Sequence, residues 1–246
     1  MSQNSVYLSV IVPVYNEAAR LPVTLKRLGA YLATSPFSYE ILVVLDGPTD
    51  QTRETLDGIV PDMRALKIVD RHVNRGKGYT VKEGMLKASG KVRLFTDADN
   101  STDIAHFEQM IPLFDNGWDI VIASRNERDV ANARQAVPQP LYKRAIGQSG
   151  NLLVQALAVR GIWDTQCGFK AFRGEAAERI FSRTTIEGWG FDIEALALAQ
   201  ALNYRIGIIP AHWINADRSH FRFLDYFTIL RDTLRVRHNL SRGKYD

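Results

Sequence analysis

The chain has 246 residues, 46% hydrophobic and 24% charged, which is ordinary for a soluble globular protein with one large α/β core and excludes a disordered or fibrous chain. No run of about 18 apolar residues occurs and the N-terminus lacks a basic-then-apolar leader, so neither a membrane span nor an export signal is expected. The lone cysteine, Cys167, excludes an internal disulfide and suits a reducing compartment, and Asn100-Ser101-Thr102 then matches the glycosylation acceptor pattern by chance. The net charge of +4 is modest, but Arg218, Arg222, Arg231, Arg235, Arg237, Arg242 and Lys244 crowd the C-terminal end.

Val6 to Val14 is nearly continuous apolar and β-branched sequence with Pro13 marking its end, as expected of a strand buried on both faces of a parallel sheet. Tyr15-Asn16-Glu17 form a polar loop. Leu21, Leu25, Leu28 and Leu32 then recur at helical spacing, with Pro22 acceptable in the first turn. Ile41 to Leu45 is a second strand, broken by Asp46-Gly47-Pro48, after which Thr49 or Asp50 caps a helix to about Val60. A third strand covers Ala65 to Val69. His72 to Gly78 is a basic, glycine-rich loop that leads into a helix from Tyr79 to Ala88. Val92, Leu94 and Phe95 mark a short buried strand ending in Asp97-Ala98-Asp99. A helix from Asp103 to Phe114, capped by Asp103, and a strand from Asp119 to Ala123 follow. Strict alternation of strand and helix predicts a parallel, doubly wound sheet with right-handed crossovers.

In such sheets ligands sit beyond the carboxyl ends of the strands. Tyr15-Asn16-Glu17, Asp46, the Asn74 to Gly78 loop and Asp97/Asp99 all fall on that rim. An extended backbone turns Asp97 and Asp99 to one side, where like charges repel unless a cation or strong donor lies between them. A hard divalent ion, Mg²⁺ or Mn²⁺, suits the pair and usually completes its shell with substrate phosphates. A solvated turn or a helix cap is the plainer alternative. With an aromatic to cover a base, and loop amides and Lys77 to meet phosphate, the rim suits a metal-bound nucleoside diphosphate. Neither G-x-x-x-x-G-K-[ST] nor a G-x-G-x-x-G after the first strand occurs, which argues against a P-loop nucleotidase and a dinucleotide dehydrogenase.

The stretches Val10-Ile11-Val12-Pro13-Val14-Tyr15-Asn16-Glu17, Asp46-Gly47-Pro48-Thr49-Asp50 and Asp97-Ala98-Asp99 resemble the motifs of inverting family 2 glycosyltransferases of the GT-A fold. Within that family, Asn74-Arg75-Gly76-Lys77-Gly78, Asp164-Thr165-Gln166-Cys167-Gly168-Phe169-Lys170 and Gly188-Trp189-Gly190-Phe191-Asp192-Ile193-Glu194 resemble the dolichyl-phosphate glucosyltransferases and their prokaryotic polyprenyl-phosphate relatives. The resemblance implies a Rossmann-like, mostly parallel sheet flanked by helices. It further implies one GT-A domain over 1–246, with a nucleotide-binding half at 1–123, an acceptor-side half at 124–217 and a basic amphipathic segment at 218–246. The implied reaction carries glucose or N-acetylglucosamine from a UDP-sugar, with Mg²⁺ or Mn²⁺ as cofactor, to a polyprenyl or dolichyl phosphate. By position, Pro13, Tyr15, Glu17 and Asp46 would line the nucleoside pocket with Lys77 near it. Asp97 would lie by the ribose and diphosphate, Asp99 would be the principal metal ligand, and Gln166, Trp189 and Asp192 would border the sugar and acceptor. Two departures stand out. The family commonly has two aspartates in a row where this chain has Leu45-Asp46, and the eukaryotic glucosyltransferases begin with a membrane helix, so peripheral contact on the cytoplasmic face of a membrane is the expectation here.

A phosphate acceptor is already ionised near neutral pH, whereas a hydroxyl acceptor needs a base. Asp192 is the candidate base, or else the cap of a helix from Ile193 to Leu202. Arg125, Arg128 and Arg134, with Lys143 and Arg144, precede or open an apolar helix carrying Leu141, Ala145, Leu152, Leu153, Ala156 and Leu157 and can hold a lipid phosphate head. Ordinary packing of that helix on the sheet is the alternative. The segment from Phe221 to Leu240 sets Phe221, Phe223, Leu224, Phe227, Leu230 and Leu234 among arginines. It suits a membrane surface better than nucleic acid, although Arg231 interrupts its apolar arc. A soluble hydroxyl acceptor, or a non-catalytic nucleotide-sugar or membrane-binding module, are the competing functions.

Overall fold

A computed structural model of the chain describes residues 5–135, 150–213 and 223–245. Strands β1 (Leu8–Val14), β2 (Tyr39–Asp46), β3 (Leu66–Arg71), β4 (Val92–Thr96), β5 (Ile120–Ser124), β7 (Phe169–Arg173) and β8 (Ile206–Pro210) form one sheet in the order β3-β2-β1-β4-β7-β5-β8. A second, two-stranded sheet pairs β6 (Arg134–Gln135) with β9 (His212–Trp213). All pairings of the large sheet are parallel except those of β7, which runs antiparallel to both β4 and β5. The sheet is therefore mostly parallel, as the resemblance implied, with β7 its one antiparallel strand. Phe169-Lys170-Ala171-Phe172 does not look like a buried strand because a lysine sits in its middle. Lys170 is nevertheless fully buried, with its Nζ 2.5 Å from Asp192 Oδ1 and donating to the Cys167 carbonyl at 2.5 Å.

Both faces of the sheet are covered, because alternate residues of a strand point opposite ways. On one face, Val10 and Val12 pack with Leu21, Leu25 and Leu28 of α1 (Leu21–Ala33) and Phe107 of α4 (Phe107–Asp115). On the other, Ile11 packs with Val81 and Met85 of α3 (Lys77–Lys87) and with α7 (Phe191–Ala201). Residues Phe191 to Ala199 of α7 are all buried, which is why that helix carries apolar residues around its whole circumference. Helices α2 (Thr52–Ile59), α5 (residues 150–157), α6 (Gly174–Phe181) and α8 (Phe223–Ser241) complete the layers. Asp103 does cap its helix, accepting from the Ala105 N–H at 2.8 Å, although a 3-10 turn over Ile104–His106 precedes α4. Asp50 accepts from the Thr52 N–H at 3.0 Å at the start of α2. Leu141, Lys143, Arg144 and Ala145 lie outside the described residues. In α5 Leu152 and Leu153 are exposed while Val154 is buried, and on α8 Phe227, Leu230 and Leu234 point outward with Arg231.

The edge of the sheet opposite the rim is locked by Glu40. Its buried carboxylate accepts from Ser9 Oγ (2.6 Å), Ser89 N–H (2.7 Å) and Ser89 Oγ (2.8 Å) and pairs with Lys67 Nζ (2.6 Å). Burial alone would raise its pKa, but these donors hold it at about 2 instead of the usual 4.5. Glu40→Gln is expected to cost about 1–3 kcal/mol of stability at neutral pH. Because the folded pKa lies below the unfolded one, that stability is present above pH 4.5 and lost as pH falls toward 2. Denaturant unfolding of the two proteins should therefore converge across that window.

Candidate functional site

The carboxyl ends of β1, β2 and β4 open into a cavity of about 420 Å³ whose lining includes Tyr15, Glu17, Asp46, Lys77, Asp97 and Asp99. Pro13 and Trp189 also line it, so most of the residues named on the rim from the sequence do converge. The loop after β1 is fixed by Asn16, which adopts a left-handed φ of 55° and whose side-chain oxygen accepts from the Thr49 N–H at 2.8 Å. Glu17 binds Arg20 through both oxygens, at 2.6 and 2.7 Å, and its own N–H donates to Thr52 Oγ1. Arg20 lines the cavity too, beyond the site residues expected from the sequence; its spacing three residues from Glu17 at a helix start is the signal that points to it. Thr24 Oγ1 donates to the Ala98 carbonyl at 2.6 Å and ties α1 to the Asp97–Asp99 turn.

Asp46 ends β2 buried, and its carboxylate accepts from the Arg75 N–H (2.8 Å), the Gly76 N–H (2.9 Å) and Arg71 NH2 (2.8 Å). The amides of Gly78 and Tyr79 donate to the Glu187 carbonyl at 2.8 and 3.2 Å. The expectation that the glycine loop offers its amides to phosphate is therefore corrected for Arg75, Gly76 and Gly78. Those donors are spent inside the protein, and Gly76, at φ 100°, is pressed so closely on Glu187 that a Cβ would stand 2.6 Å from its carbonyl oxygen. The loop instead presents the side chain of Lys77. Its Nζ stands 2.5 Å from Asp97 Oδ1 and 5.3 Å from the centroid of the Trp189 ring. Burial works against that charge, but Asp97, Asp192 and Asp99 outweigh it and raise the Lys77 pKa above the ordinary lysine value.

Strand β4 stops at Thr96, so Asp97 and Asp99 reach the cavity from a turn and not by strand alternation. Asp99 Oδ1 accepts from the Ser101 N–H at 2.9 Å, and Asn100 between them has a left-handed φ of 54°. Gly168, just before β7, abuts Asp97 so closely that a Cβ there would fall within its carboxylate. Among the described residues no three His, Cys, Asp or Glu side chains cluster as a ready-made metal cage. Two carboxylates beside a seated ammonium nevertheless fit a small hard divalent ion that takes few protein ligands and completes its shell with substrate phosphates.

The other described candidates stand behind or beside the cavity and not in its lining. Asp192 is neither a cap nor a cavity wall: Gly190 is the N-cap of α7, and Asp192, in the first turn, is buried against Lys170. Burial raises its pKa, which Lys170 and Lys77 offset only in part. Gln166 Nε2 donates to the Trp189 carbonyl at 3.4 Å. Arg125, itself half-buried, grips the buried Asp164 with Nε and NH2 at 2.7 Å each and holds it below the usual carboxylate range despite burial. Its fork is thus engaged by the protein itself, contrary to the expectation that it meets an acceptor phosphate. Arg128 is exposed and lies over the Trp163 ring at 4.5 Å. The side chain of Arg134 lies outside the described residues. Cys167 is buried with its thiol pushed up to about 11, chiefly by burial and by Asp164, which makes it inert.

Gly168→Ala is expected to displace Asp97 and to lower stability by about 1–3 kcal/mol. A double-mutant cycle with Asp97→Ser should show that most of this penalty disappears once the opposing carboxylate is gone; an undiminished penalty would place the strain elsewhere.

A family model described as glycosyl transferase family 2 matches residues 9–181. The dolichyl-phosphate beta-glucosyltransferase of Dictyostelium discoideum is 35% identical over 95% of this chain and 75% of its own length, and that of Homo sapiens is 33% identical over 94% and 74%. Among solved structures, glucosyl-3-phosphoglycerate synthase from Mycobacterium tuberculosis in complex with Mg²⁺ and uridine-diphosphate superposes with a TM-score of 0.66 at 16% identity, covering 95% of this chain and 79% of that one. Mannosyl-3-phosphoglycerate synthase from Rubrobacter xylanophilus gives 0.67 at 15% identity, covering 97% and 75%. At such identities these two speak for the fold alone. The family match spans the strands that build the rim and the relatives align along nearly the whole chain, so this protein belongs to glycosyl transferase family 2 and is a glycosyltransferase.

Proposed function

We propose that this glycosyltransferase transfers a hexose, glucose or N-acetylglucosamine, from a UDP-sugar to a polyprenyl or dolichyl phosphate, with inversion and with Mg²⁺ or Mn²⁺. The observation that carries this reading is the cavity at the carboxyl ends of β1, β2 and β4. It gathers Tyr15, Trp189, Asp97, Asp99 and Lys77, a set that supports a nucleoside diphosphate as the ligand. The names of the relatives support the donor sugar and the lipid phosphate.

In this reading Tyr15 covers the base, and Asp46 acts at one remove by fixing the loop that carries Lys77. Asp99 and Asp97 hold the divalent ion, which when bound neutralises charge developing on the leaving diphosphate. Lys77, already beside Asp97, adds a charge-assisted contact to the same phosphates. The acceptor phosphate arrives ionised and needs no proton removed, which agrees with Asp192 being committed to Lys170 in the interior. Arg128 and Arg134 remain for the acceptor head group, while Arg125 shapes the segment around Asp164. The outward stripe of Phe227, Leu230 and Leu234 beside Arg231 and Arg235 supports a peripheral seat on a membrane, on its cytoplasmic face. No helix among the described residues is long and apolar enough to cross a membrane. Residues 1–246 then work as one GT-A unit, with 218–246 as its lipid-facing segment.

Incubated with radiolabelled UDP-glucose and a polyprenyl phosphate, the protein should move label into an organic-extractable product only when Mg²⁺ or Mn²⁺ is present. Asp99→Ala should reduce that rate by at least about 100-fold, the scale expected when several kcal/mol of charge stabilisation are removed. Full activity in excess chelator would refute the metal. Label passing to soluble alcohols but not to lipid phosphate would refute the acceptor, and nucleotide binding without any transfer would refute the reaction.

A further inference from the structure

One wall of the cavity comes from the C-terminal helix: Asp225, in the first turn of α8, lines it together with Lys77, Asp97, Asp99 and Trp189. This residue lies beyond the segment matched by the family model and was not among the site residues expected from the sequence. Its placement is built in. About two helical turns further on, on the same face, buried Asp232 packs against Gly190 so tightly that a Cβ on the glycine would stand 2.6 Å from the Asp232 Cβ. Just beyond the helix, the Tyr245 hydroxyl donates to Glu194 Oε1 at 2.6 Å and the Tyr245 carbonyl accepts from Arg183 Nε at 2.7 Å. The α8 segment is thereby clamped to α7 beside Trp189, and Asp225 is held at the cavity.

What a carboxylate can do there follows from the ligand's own chemistry. With the ion assigned to Asp97 and Asp99, a further carboxylate has no cation of its own to share with the diphosphate or an acceptor phosphate, and it repels both. In the donor pose proposed above, the base lies toward Tyr15 at the end of β1. The remaining part of a nucleotide sugar is the hexose, whose neutral hydroxyls are hydrogen-bond donors matched to a carboxylate acceptor and whose C–H face suits an indole. Resting on the donor assignment made above, we propose that Asp225, with Trp189, forms the hexose subsite, so that the choice of donor sugar is made partly on α8.

The test is calorimetric titration of the full chain, with Mn²⁺ present, using UDP and UDP-glucose as separate probes, on the unaltered protein and on Asp225→Ala and Asp225→Asn. Both variants should bind UDP within about twofold of the unaltered protein. UDP-glucose should weaken about tenfold or more in Asp225→Ala, the loss expected for a charged hydrogen-bond partner, and by less in Asp225→Asn, which keeps an acceptor. Equal weakening of UDP and UDP-glucose, or no weakening of either, overturns the hexose assignment. A loss of turnover with UDP-glucose affinity unchanged overturns it as well and would make Asp225 an acceptor-side group. If the unaltered protein binds UDP no better than inorganic phosphate, the donor assignment itself has failed, a result separate from the behaviour of the variants.

Discussion

The rim is organised around the negative charge of Asp97 and the means of holding it in place. A carboxylate at a strand end is normally free to turn into solvent. Here Gly168 leaves just enough room for it on one side, and Lys77 stands against it on the other. Each of those supports has its own. Lys77 is presented by a loop whose amides are pinned by Asp46 and by the Glu187 carbonyl. Gly168 is fixed by the strand that follows it, and there Lys170 ties the Cys167 carbonyl to Asp192 on α7. A buried lysine–aspartate pair is poor value as a source of stability, since desolvation can offset the attraction. What it supplies here is position: the β7 and α7 elements are joined at the base of the site.

This chain of supports engages several of the acidic groups near the site. Asp46 accepts from three donors, Asp164 is held by Arg125, Asp192 by Lys170, and Glu17 by Arg20. A site built this way favours ligands that bring their own charge, a diphosphate and an already ionised acceptor, over ligands that must be deprotonated. Positive charge is likewise distributed, with Lys77 inside the cavity, Arg128 exposed over Trp163, and the arginines of α8 around an exposed apolar stripe.

Much of the architecture was legible because local pattern and tertiary role agree. The apolar runs of β1, β2 and β4 are buried on both faces, and the Leu21 to Leu32 spacing is the buried stripe of α1. The polar residues at their carboxyl ends converge because parallel connections put every such end on one rim. What was hidden depended on partners distant in sequence. The strand at Phe169 carries a lysine whose burial makes sense only once Asp192 is in view. The amides of the glycine loop look available until Asp46 and Glu187 are placed against them. Asp192 resembled a cap because it stands near a helix start, yet Gly190 begins that helix. Asp225 had no local signal at all, since α8 reaches the cavity only by packing on α7.

The most direct measurement of the central claim is a crystal structure of the full chain grown with UDP and manganese, with the metal located by its anomalous scattering. The account predicts a manganese peak bonded to carboxylate oxygen of Asp99 or Asp97 and to the diphosphate, with the uracil beside Tyr15. A nucleotide bound away from the ends of β1 and β4, or a diphosphate seated there with manganese in solution and no peak at either aspartate, would contradict it.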